Sequence, residues 1–335
     1  MSYKVLIAVH RYAPYPGGSE YYTQDIAEEF LKRGHDVTVL AHEHKGNLNG
    51  VQVTNDYQVL VNQQYDMIVV HGGDCITQNI IHQNALVIKS PVLYLLIKPS
   101  DSGICKYGMR HHKYLGYSTS TDMEHIRKYG HTDKARRVRH GINLIETMKE
   151  SYASEKTIYT SAGGFWPHKG MVELSNAWNA SDLDAELHLF GYGPGEVPPI
   201  TDRVKTFQGL AKEDVLTHVA CSDGYIMNSF EEGFGLVLLE AMANYVPWYS
   251  RRTAGALDMA EYGTLYNDEA ELLNILKDKP KNDVIYKDWN DMIAHDDSNG
   301  KTLRDAFDYV AANHTIIQTV NDIVDIIDGE KVLGR

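Results

Sequence analysis

Hydrophobic and polar positions alternate in blocks along the first half of the chain. Tyr3–Val9 is an apolar and β-branched run that predicts a strand, and after a Gly/Pro break a helical pattern runs from about Glu20 to Lys32. Further strand-like runs follow at Asp36–Ala41, Met67–Val70, Val92–Ile97 and around Leu115–Ser118. Strands that alternate with helices predict a parallel sheet covered on both faces, and such sheets bind ligands beyond the carboxyl ends of their strands.

A second alternating series begins after the polar stretch Ser151–Lys156. Its strand-like and helical runs are Thr157–Ser161, Val172–Trp178, Glu186–Phe190, Val204–Phe207, Tyr225–Met227, Phe234–Asn244 and Pro247–Tyr249. The tail from about Thr302 to Asp328 has apolar residues three and four positions apart, which predicts a helix. We therefore expect an α/β protein with two doubly wound domains, residues 1–148 and 149–305. Residues 306–335 would form a helical tail that docks on one domain or bridges both.

Composition and charge narrow the class of protein. A chain of 335 residues exceeds what one hydrophobic core usually supports, and 43% hydrophobic with 23% charged residues is typical of a globular protein. The longest apolar start, Val5–Val9, is too short for a signal peptide or a membrane span, so we expect a cytoplasmic protein. The net charge of -13 argues against a surface built throughout to bind polyanions. Three widely separated cysteines indicate buried or partly buried thiols rather than disulfides or a metal site: Cys75, Cys105 and Cys221.

The first candidate site is the segment Arg11–Glu20, between the first predicted strand and helix. Gly17 and Gly18 allow close backbone approach, and the helix start behind them offers free N–H groups to a phosphate or diphosphate. The alternative is an ordinary tight turn between strand and helix. The segment is not GxGxxG, and neither is Gly191–Gly195, so a nicotinamide site has little support.

The strongest candidate site is Ser229–Ala243. Gly233 and Gly235 leave backbone amides open at a helix start, with Glu232 before the helix and Glu240 inside it. Eight residues at a rise of 1.5 Å place the two carboxylates about 12 Å apart on roughly one side. Two carboxylates that bind sugar hydroxyls, with a helix start for a diphosphate between them, match the order of groups in a nucleotide sugar. The alternative is a solvated glutamate before an amphipathic helix.

The third candidate is Lys169, beside Gly170 in the loop Gly163–Gly170 that follows the first strand of the second domain. Its ammonium is placed to meet the same ligand, where it would stabilise negative charge developing on a leaving phosphate. The alternative interpretation is an ordinary surface lysine.

Together these segments resemble the retaining glycosyltransferases of family four, also called glycosyltransferase group 1, over most of the chain. The resemblance is carried by Gly17-Gly18-Ser19-Glu20, Lys32–Val37, His140–Asn143, Lys169-Gly170 and the segment from Glu232 to Glu240. The last is similar to the family's specific Glu-x7-Glu motif with its Gly-Phe-Gly insert. The resemblance implies the GT-B fold, in which two Rossmann-like domains face each other across a nucleotide-sugar cleft.

The resemblance also implies a role for each matching residue. Glu232 would contact the donor sugar, Glu240 the donor ribose and Lys169 the diphosphate, with Glu232 and Lys169 as the catalytic pair. Gly18, beside Gly17, would close over the diphosphate from the other domain. Backbone amides that would hold sugar hydroxyls and phosphate belong to Gly233, Phe234, Gly235 and Leu236.

The family's chemistry is sugar transfer with retention, by front-face attack in which the leaving phosphate helps to take the acceptor proton. The resemblance implies no metal and no cofactor beyond the nucleotide-sugar donor, for which a UDP-sugar is expected.

The chain departs from the family pattern at several positions. Gly164 stands where an arginine is common, so one diphosphate contact is lost or replaced, and Arg251 or Arg252 is the candidate substitute. His71 would either face the cleft or serve as a structural histidine. Two further departures are Tyr245 in place of a glycine and Asp258 in place of a glutamate.

The segment Lys98–His140 is basic although the whole chain is acidic. It has ten Lys and Arg against four Asp and Glu, a balance of +6, with five histidines and interleaved tyrosines. In this fold the N-terminal domain usually supplies the acceptor surface, so the segment suggests an anionic acceptor. The alternative is a solvated basic face that balances acidic neighbours.

Three acceptors fit this reading. The commonest in the family is a glycan or small sugar, another is a lipid-linked sugar, and the third is a hydroxymethylated base in DNA, as some phage enzymes modify. A non-catalytic protein that binds a nucleotide sugar is the alternative outside the enzymes. The oligomeric state is not indicated.

Overall fold

The computed structural model describes residues 1–72, 75–97, 100–144, 156–278 and 301–332. The chain divides into two compact units, and each is described by itself. The first is Met1–Asn143 with Asn313–Arg335, and the second is Leu144–Ala312. The predicted domain boundary after residue 148, and with it most of the predicted linker, lies outside the described residues. The predicted boundary after residue 305 falls inside a continuous helix, Leu303–Asn313.

The first unit is built from strands and helices in alternation. In chain order its elements are β1 Lys4–Arg11, α1 Gly18–Lys32, β2 Asp36–Glu43, β3 Gln52–Thr54, α2 Val59–Asn62, β4 Met67–His71, α3 Ile76–Gln83, β5 Val92–Leu95, α4 Gly103–His111, β6 Tyr114–Tyr117, α5 Ser120–Lys128 and β7 Ala135–Arg137. Its described strands form a parallel sheet in the order β3-β2-β1-β4-β5-β6-β7.

The second unit repeats this plan. Its elements are β8 Ile158–Gly164, α6 Met171–Ala180, β9 Glu186–Tyr192, β10 Val204–Gln208, α7 Lys212–Ala220, β11 Gly224–Met227, α8 Leu236–Ala243, β12 Trp248–Arg251, α9 Ala254–Asp258, β13 Thr264–Tyr266, α10 Glu269–Asp278 and α11 Leu303–Asn313. Its described strands are parallel in the order β10-β9-β8-β11-β12-β13.

Burial explains why the central strands read as continuous apolar runs. β1 pairs with β2 on one side and β4 on the other, and Val5–Ala8 are fully buried because helices cover both faces of the sheet. In the second unit Leu187 and Leu189 of β9 and Ile226 of β11 pack around the buried indole of Trp178. Each unit therefore has its own hydrophobic core.

The C-terminal helix α12, Ile316–Val332, packs on the first unit. Val320, Ile323 and Ile327 are fully buried, and the Arg139 guanidinium donates to the Asp322 carboxylate at 2.9 and 2.6 Å. Apolar burial on one face of α12 and a two-bond ion pair at its side stabilise this docking.

Two predictions from the sequence concern the burial of the cysteines and the apolar length of the helices. Cys105 is buried and Cys75 and Cys221 are half-buried, which confirms the predicted burial of the thiols. Among the helices of the described ranges, none is long and apolar enough to cross a bilayer.

Candidate functional site

The helix α8 begins at the carboxyl edge of the second sheet, directly after β11. Gly235 precedes it with a φ of +86°, in the left-handed region that favours glycine, and a Cβ there would lie 3.1 Å from the Met227 side chain. The first amides of a helix have no partner inside it, and the dipole makes that end positive. The glycine therefore lets the chain turn tightly and present these amides at the sheet edge.

Lys169 and Glu232 are brought together from two different strands. Lys169 follows β8 in a short 3-10 turn, Glu232 follows β11, and the ammonium contacts the carboxylate. The Ser229 hydroxyl also donates to Glu232 at 3.3 Å, and the Gly233 amide donates to it at 3.3 Å. Both ends of the ion pair are 21% exposed, so the pair is reachable by a ligand at the edge where α8 begins.

Hydrogen bonds hold the loop that carries Lys169 against the loop that carries Glu232. The Phe230 amide donates to the His168 carbonyl at 2.8 Å, and the Asn228 side chain donates to the Gly170 carbonyl at 2.7 Å. Gly170 has a φ of +63°, and a Cβ on it would lie 2.5 Å from the Asn228 carbonyl oxygen. A hydrogen bond on each side of Lys169 thus fixes its loop relative to the loop that carries Glu232.

Asn228 belongs to a network of hydrogen bonds with Arg251, Tyr266 and Glu269 that holds its side chain in place. Its amide oxygen accepts from Arg251 at 3.1 Å and from the Tyr266 hydroxyl at 2.9 Å, and its amide donates to Glu269 at 2.8 Å. Arg251 also donates to Glu269 at 2.6 Å. Burial works to raise the pKa of Glu269, but the bonds from Asn228 and Arg251 outweigh it and lower that pKa.

Arg251 and Arg252 are the candidates to replace the arginine that the family commonly has at the position of Gly164. The Arg251 guanidinium is held by Asn228 and Glu269 and lies 4.6 Å from the centre of the Phe230 ring, while the Arg252 side chain is exposed. Arg251 therefore acts in the structure as a support for the loop after β11.

Glu240 is the fifth residue of α8, about one turn inside the helix, on the side that faces α7. Its carboxylate is 3.6 Å from the ammonium of Lys212, the first residue of α7, and the two side chains are 18% and 21% exposed. The sequence did not single out Lys212, because a lysine at a helix start has no local mark that distinguishes it from a surface cation.

The remaining residues of the predicted donor motif lie at or just before the start of α8. Gly233 and Phe234 are in the loop before α8, and Leu236 is its first residue. The Phe234 ring is buried, so what this residue offers to a ligand is its backbone.

Gly17 and Gly18 belong to the first unit. Gly17 precedes α1 with a φ of 156°, Gly18 is the first residue of α1, and no side chain caps this helix start. Glu20 in the first turn is buried against Arg11, whose guanidinium donates to it at 3.1 Å. Burial raises the pKa of Glu20, against the opposing effect of Arg11.

His71 is a core residue of the first unit. It is the last residue of β4, is 3% exposed, and contacts the Tyr22 ring at a tilt of 48° with ring centres 5.1 Å apart. Tyr22 in turn contacts His140 at 4.8 Å. Burial lowers the pKa of His71 to about 4, and burial together with His71 and His314 lowers the pKa of His140 to about 3. Of the two interpretations of His71, the structure supports the structural one.

Two other departures from the family pattern have structural contexts. Tyr245, in place of a glycine, has a φ of +55°, the left-handed conformation that a glycine adopts without strain, and its ring stacks on Phe307 at 4.7 Å. Asp258 is the last residue of α9 and is exposed.

Much of the basic segment is engaged within the protein. Lys113 contacts Glu330, Lys128 donates to Asp101 at 2.8 Å, and Arg139 pairs with Asp322. Lys134 donates to the carbonyls of Met109 and Arg110, and Arg136 donates to two backbone carbonyls. Exposed guanidinium groups remain at Arg110, Arg127 and Arg137, while Lys98 lies outside the described residues.

Comparison with known proteins gives a family match in the second unit. Residues 156–278 match the family Glycosyl transferases group 1, a range that includes Lys169, Glu232 and Glu240. N-acetyl-alpha-D-glucosaminyl L-malate synthase of Bacillus anthracis is 39% identical over 90 residues, and that match spans 25% of this chain and 23% of that protein.

Solved structures resemble almost the whole chain. Sucrose-phosphate synthase from Thermosynechococcus elongatus is similar with a TM-score of 0.74 at 14% identity, over 98% of this chain and 100% of that one. Anabaena HepE, solved in complex with UDP and glucose, gives 0.71 at 15% identity over 98% and 100%. WaaG, a glycosyltransferase involved in lipopolysaccharide biosynthesis, gives 0.67 at 14% over 97% and 100%. The predicted resemblance to glycosyltransferase group 1 and the GT-B fold are confirmed.

Proposed function

We propose that this protein is a retaining glycosyltransferase, which moves a sugar from a UDP-sugar to a hydroxyl of a glycan or small sugar. The observation that carries the proposal is the contact between the Lys169 ammonium and the Glu232 carboxylate beside the start of α8. A cation for phosphate, a carboxylate for sugar hydroxyls and a helix start for a diphosphate lie at one carboxyl edge of a parallel sheet. HepE, whose fold this chain shares, was solved with UDP-glucose, which supports UDP as the nucleotide.

Glu232 is suited to bind the transferred sugar. Its carboxylate accepts from Lys169, Ser229 and the Gly233 amide, which fix its orientation. Two carboxylate oxygens have about four acceptor positions, so a sugar hydroxyl can donate to one that these partners leave open.

Lys169 is suited to stabilise the leaving group. As the bond between the sugar carbon and the diphosphate oxygen breaks, negative charge grows on that oxygen, and an ammonium held beside it stabilises the charge. The acceptor oxygen forms the new bond on the face from which the diphosphate leaves, and its proton passes to a phosphate oxygen. This order of events retains the configuration of the sugar.

Glu240 is suited to bind the donor ribose. It lies eight residues beyond Glu232, so its carboxylate can accept from ribose hydroxyls while the diphosphate lies at the helix start between the two glutamates. In this proposal cationic side chains and the α8 dipole neutralise the diphosphate, and no metal ion is required.

The experiment is a transfer screen with labelled nucleotide sugars against glycan, lipid-linked and hydroxymethylated-DNA acceptors. We expect transfer from a UDP-sugar to a glycan or small sugar, and a large loss of turnover in Lys169→Ala. The matched control is Lys156→Ala, since Lys156 also pairs with a glutamate, Glu186 at 2.7 Å, but at the opposite edge of the same sheet.

Two outcomes would contradict the proposal. Transfer to DNA alone would replace the glycan acceptor by a hydroxymethylated base. A protein that binds the donor but neither hydrolyses it nor transfers its sugar would be a binding protein with the GT-B fold.

A further inference from the structure

Trp166 differs from the other tryptophans that the structure describes. It follows β8, at the same sheet edge as Lys169, and is 37% exposed, whereas Trp178 and Trp248 are buried in the core. A large aromatic ring that is exposed beside a polar site has an apolar face available to a ligand.

Gly164 makes room for the Trp166 ring, and Gly193 lies beside it. A Cβ on Gly164 would lie 2.5 Å from the indole Cδ1, whereas a Cβ on Gly193 would lie 3.6 Å from its Cε2, in ordinary contact. Gly193 has a φ of +104°, so a side chain there would also strain the backbone. The indole therefore occupies the space that a side chain at residue 164 would take.

The backbone around Trp166 is held on both sides. Before it, the Phe165 amide donates to the Tyr192 carbonyl at 2.7 Å, and after it the Lys169 amide donates to the Trp166 carbonyl at 2.9 Å. The ring is therefore positioned relative to the Lys169 ammonium by one short turn, and little order has to be gained when a ligand binds.

The order of the strands shows which end of a donor would meet the ring. The contact between Lys169 and Glu232 joins the loops after β8 and β11. In the proposed function this is the sugar end of the site, because Glu232 binds the transferred sugar. Trp166 instead packs against the loop after β9, on the opposite side of β8. Glu240 pairs with Lys212 of α7, and α7 follows β10, the neighbour of β9. The nucleoside end of the site thus lies on the side of β9 and β10, where Trp166 lies.

We propose that the exposed face of Trp166 is the platform on which the donor nucleobase stacks. This inference rests on the proposed function and adds a residue that binds the base. Stacking on an aromatic side chain tolerates any base, because every base has a π face.

The test is calorimetric titration of the full-length protein with UDP and, separately, with inorganic pyrophosphate. We expect Trp166→Ala to weaken UDP binding about tenfold or more, the usual effect of removing a stacked aromatic, and to change pyrophosphate binding less than about twofold. Trp166→Phe keeps a stacking face, so its UDP affinity should stay close to the wild-type value. Quenching of tryptophan fluorescence by UDP should disappear in both variants.

Phe230→Ala is the matched control. Phe230 is also an exposed aromatic at the same sheet edge, at 47% against 37% for Trp166, but its ring lies on the β11 side and contacts the Arg251 guanidinium, so UDP affinity should not change.

The inference is overturned if Trp166→Ala binds UDP with wild-type affinity, a result that leaves the proposed function standing. It is also overturned if the variant loses UDP and pyrophosphate affinity equally, because the ring would then only position the turn that carries Lys169. A wild-type protein that does not bind UDP contradicts the proposed UDP donor, whether or not it binds pyrophosphate.

Discussion

Acid should destabilise the first unit through its buried histidines. His71 and His140 both contact the Tyr22 ring and have ring centres 6.5 Å apart, and burial lowers their pKa values to about 4 and about 3. In the unfolded chain both would titrate near pH 6.5. Between pH 6.5 and 4 the unfolded state therefore binds protons that the folded state does not, and stability falls as the pH falls through this window.

The size of the effect follows from the unfolded pKa. Lowering the pH from 8 to 5 should cost about 2 kcal/mol for each such histidine, or about 4 kcal/mol for the pair. A domain is typically stable by about 5–15 kcal/mol, so this loss is large enough to measure.

The assay is urea denaturation at pH 8 and pH 5, followed by far-UV circular dichroism. The four tryptophans all lie between residues 156 and 300, so tryptophan emission recorded in parallel reports the second unit separately. His71→Gln should reduce the loss of stability between the two pH values by about 2 kcal/mol. His42→Gln, which replaces an exposed histidine of the same unit, should leave the loss unchanged. Equal stability at pH 5 and pH 8, or a loss that His71→Gln does not reduce, would show that these buried histidines do not cause the acid instability.

Three further predictions concern the backbone, the C-terminal helix and metal. Gly235→Ala should lower the stability of the second unit by about 1 kcal/mol or more in urea titrations, because it places a Cβ beside Met227 at a residue with a left-handed backbone. Gly209 also has a left-handed backbone but lies in open space, so Gly209→Ala measures the backbone cost alone. Arg139→Ala should destabilise the first unit by about 2 kcal/mol, because it leaves the mostly buried Asp322 carboxylate without its guanidinium, and Arg139→Lys should recover part of that loss. Sugar transfer should survive EDTA, and activity restored only by Mg²⁺ or Mn²⁺ would contradict the metal-independent proposal.

The central strands were predictable from the sequence because they are buried on both faces. Tyr3–Val9 and Met67–Val70 were predicted where Lys4–Arg11 and Met67–His71 are observed, since a strand of this kind is a continuous apolar run. The edge strands β3 and β7 were not predicted. Gln-Val-Thr and Ala-Arg-Arg are short and polar, and only pairing with a neighbouring strand makes them extended.

The candidate site was also predictable from the sequence only in part. Lys169 and Glu232 each follow a strand, and parallel strands bring their carboxyl ends to one edge, so their convergence followed from the pattern. The pairing of Glu240 with Lys212 depends on how α7 packs beside α8. The support of Asn228 by Arg251 and Glu269 likewise depends on tertiary neighbours, which no local spacing records.

In the proposed function the second unit binds a nucleotide sugar with Glu240 at its ribose. Calorimetric titration of UDP into the wild-type protein and into Glu240→Ala measures the contribution of this carboxylate. Loss of a carboxylate that accepts from ribose hydroxyls should weaken UDP binding by about tenfold or more, because hydrogen bonds to charged groups are the stronger ones. Lys156→Ala, at the opposite edge of the sheet, should bind UDP as the wild-type protein does. Unchanged UDP affinity in Glu240→Ala would contradict the account.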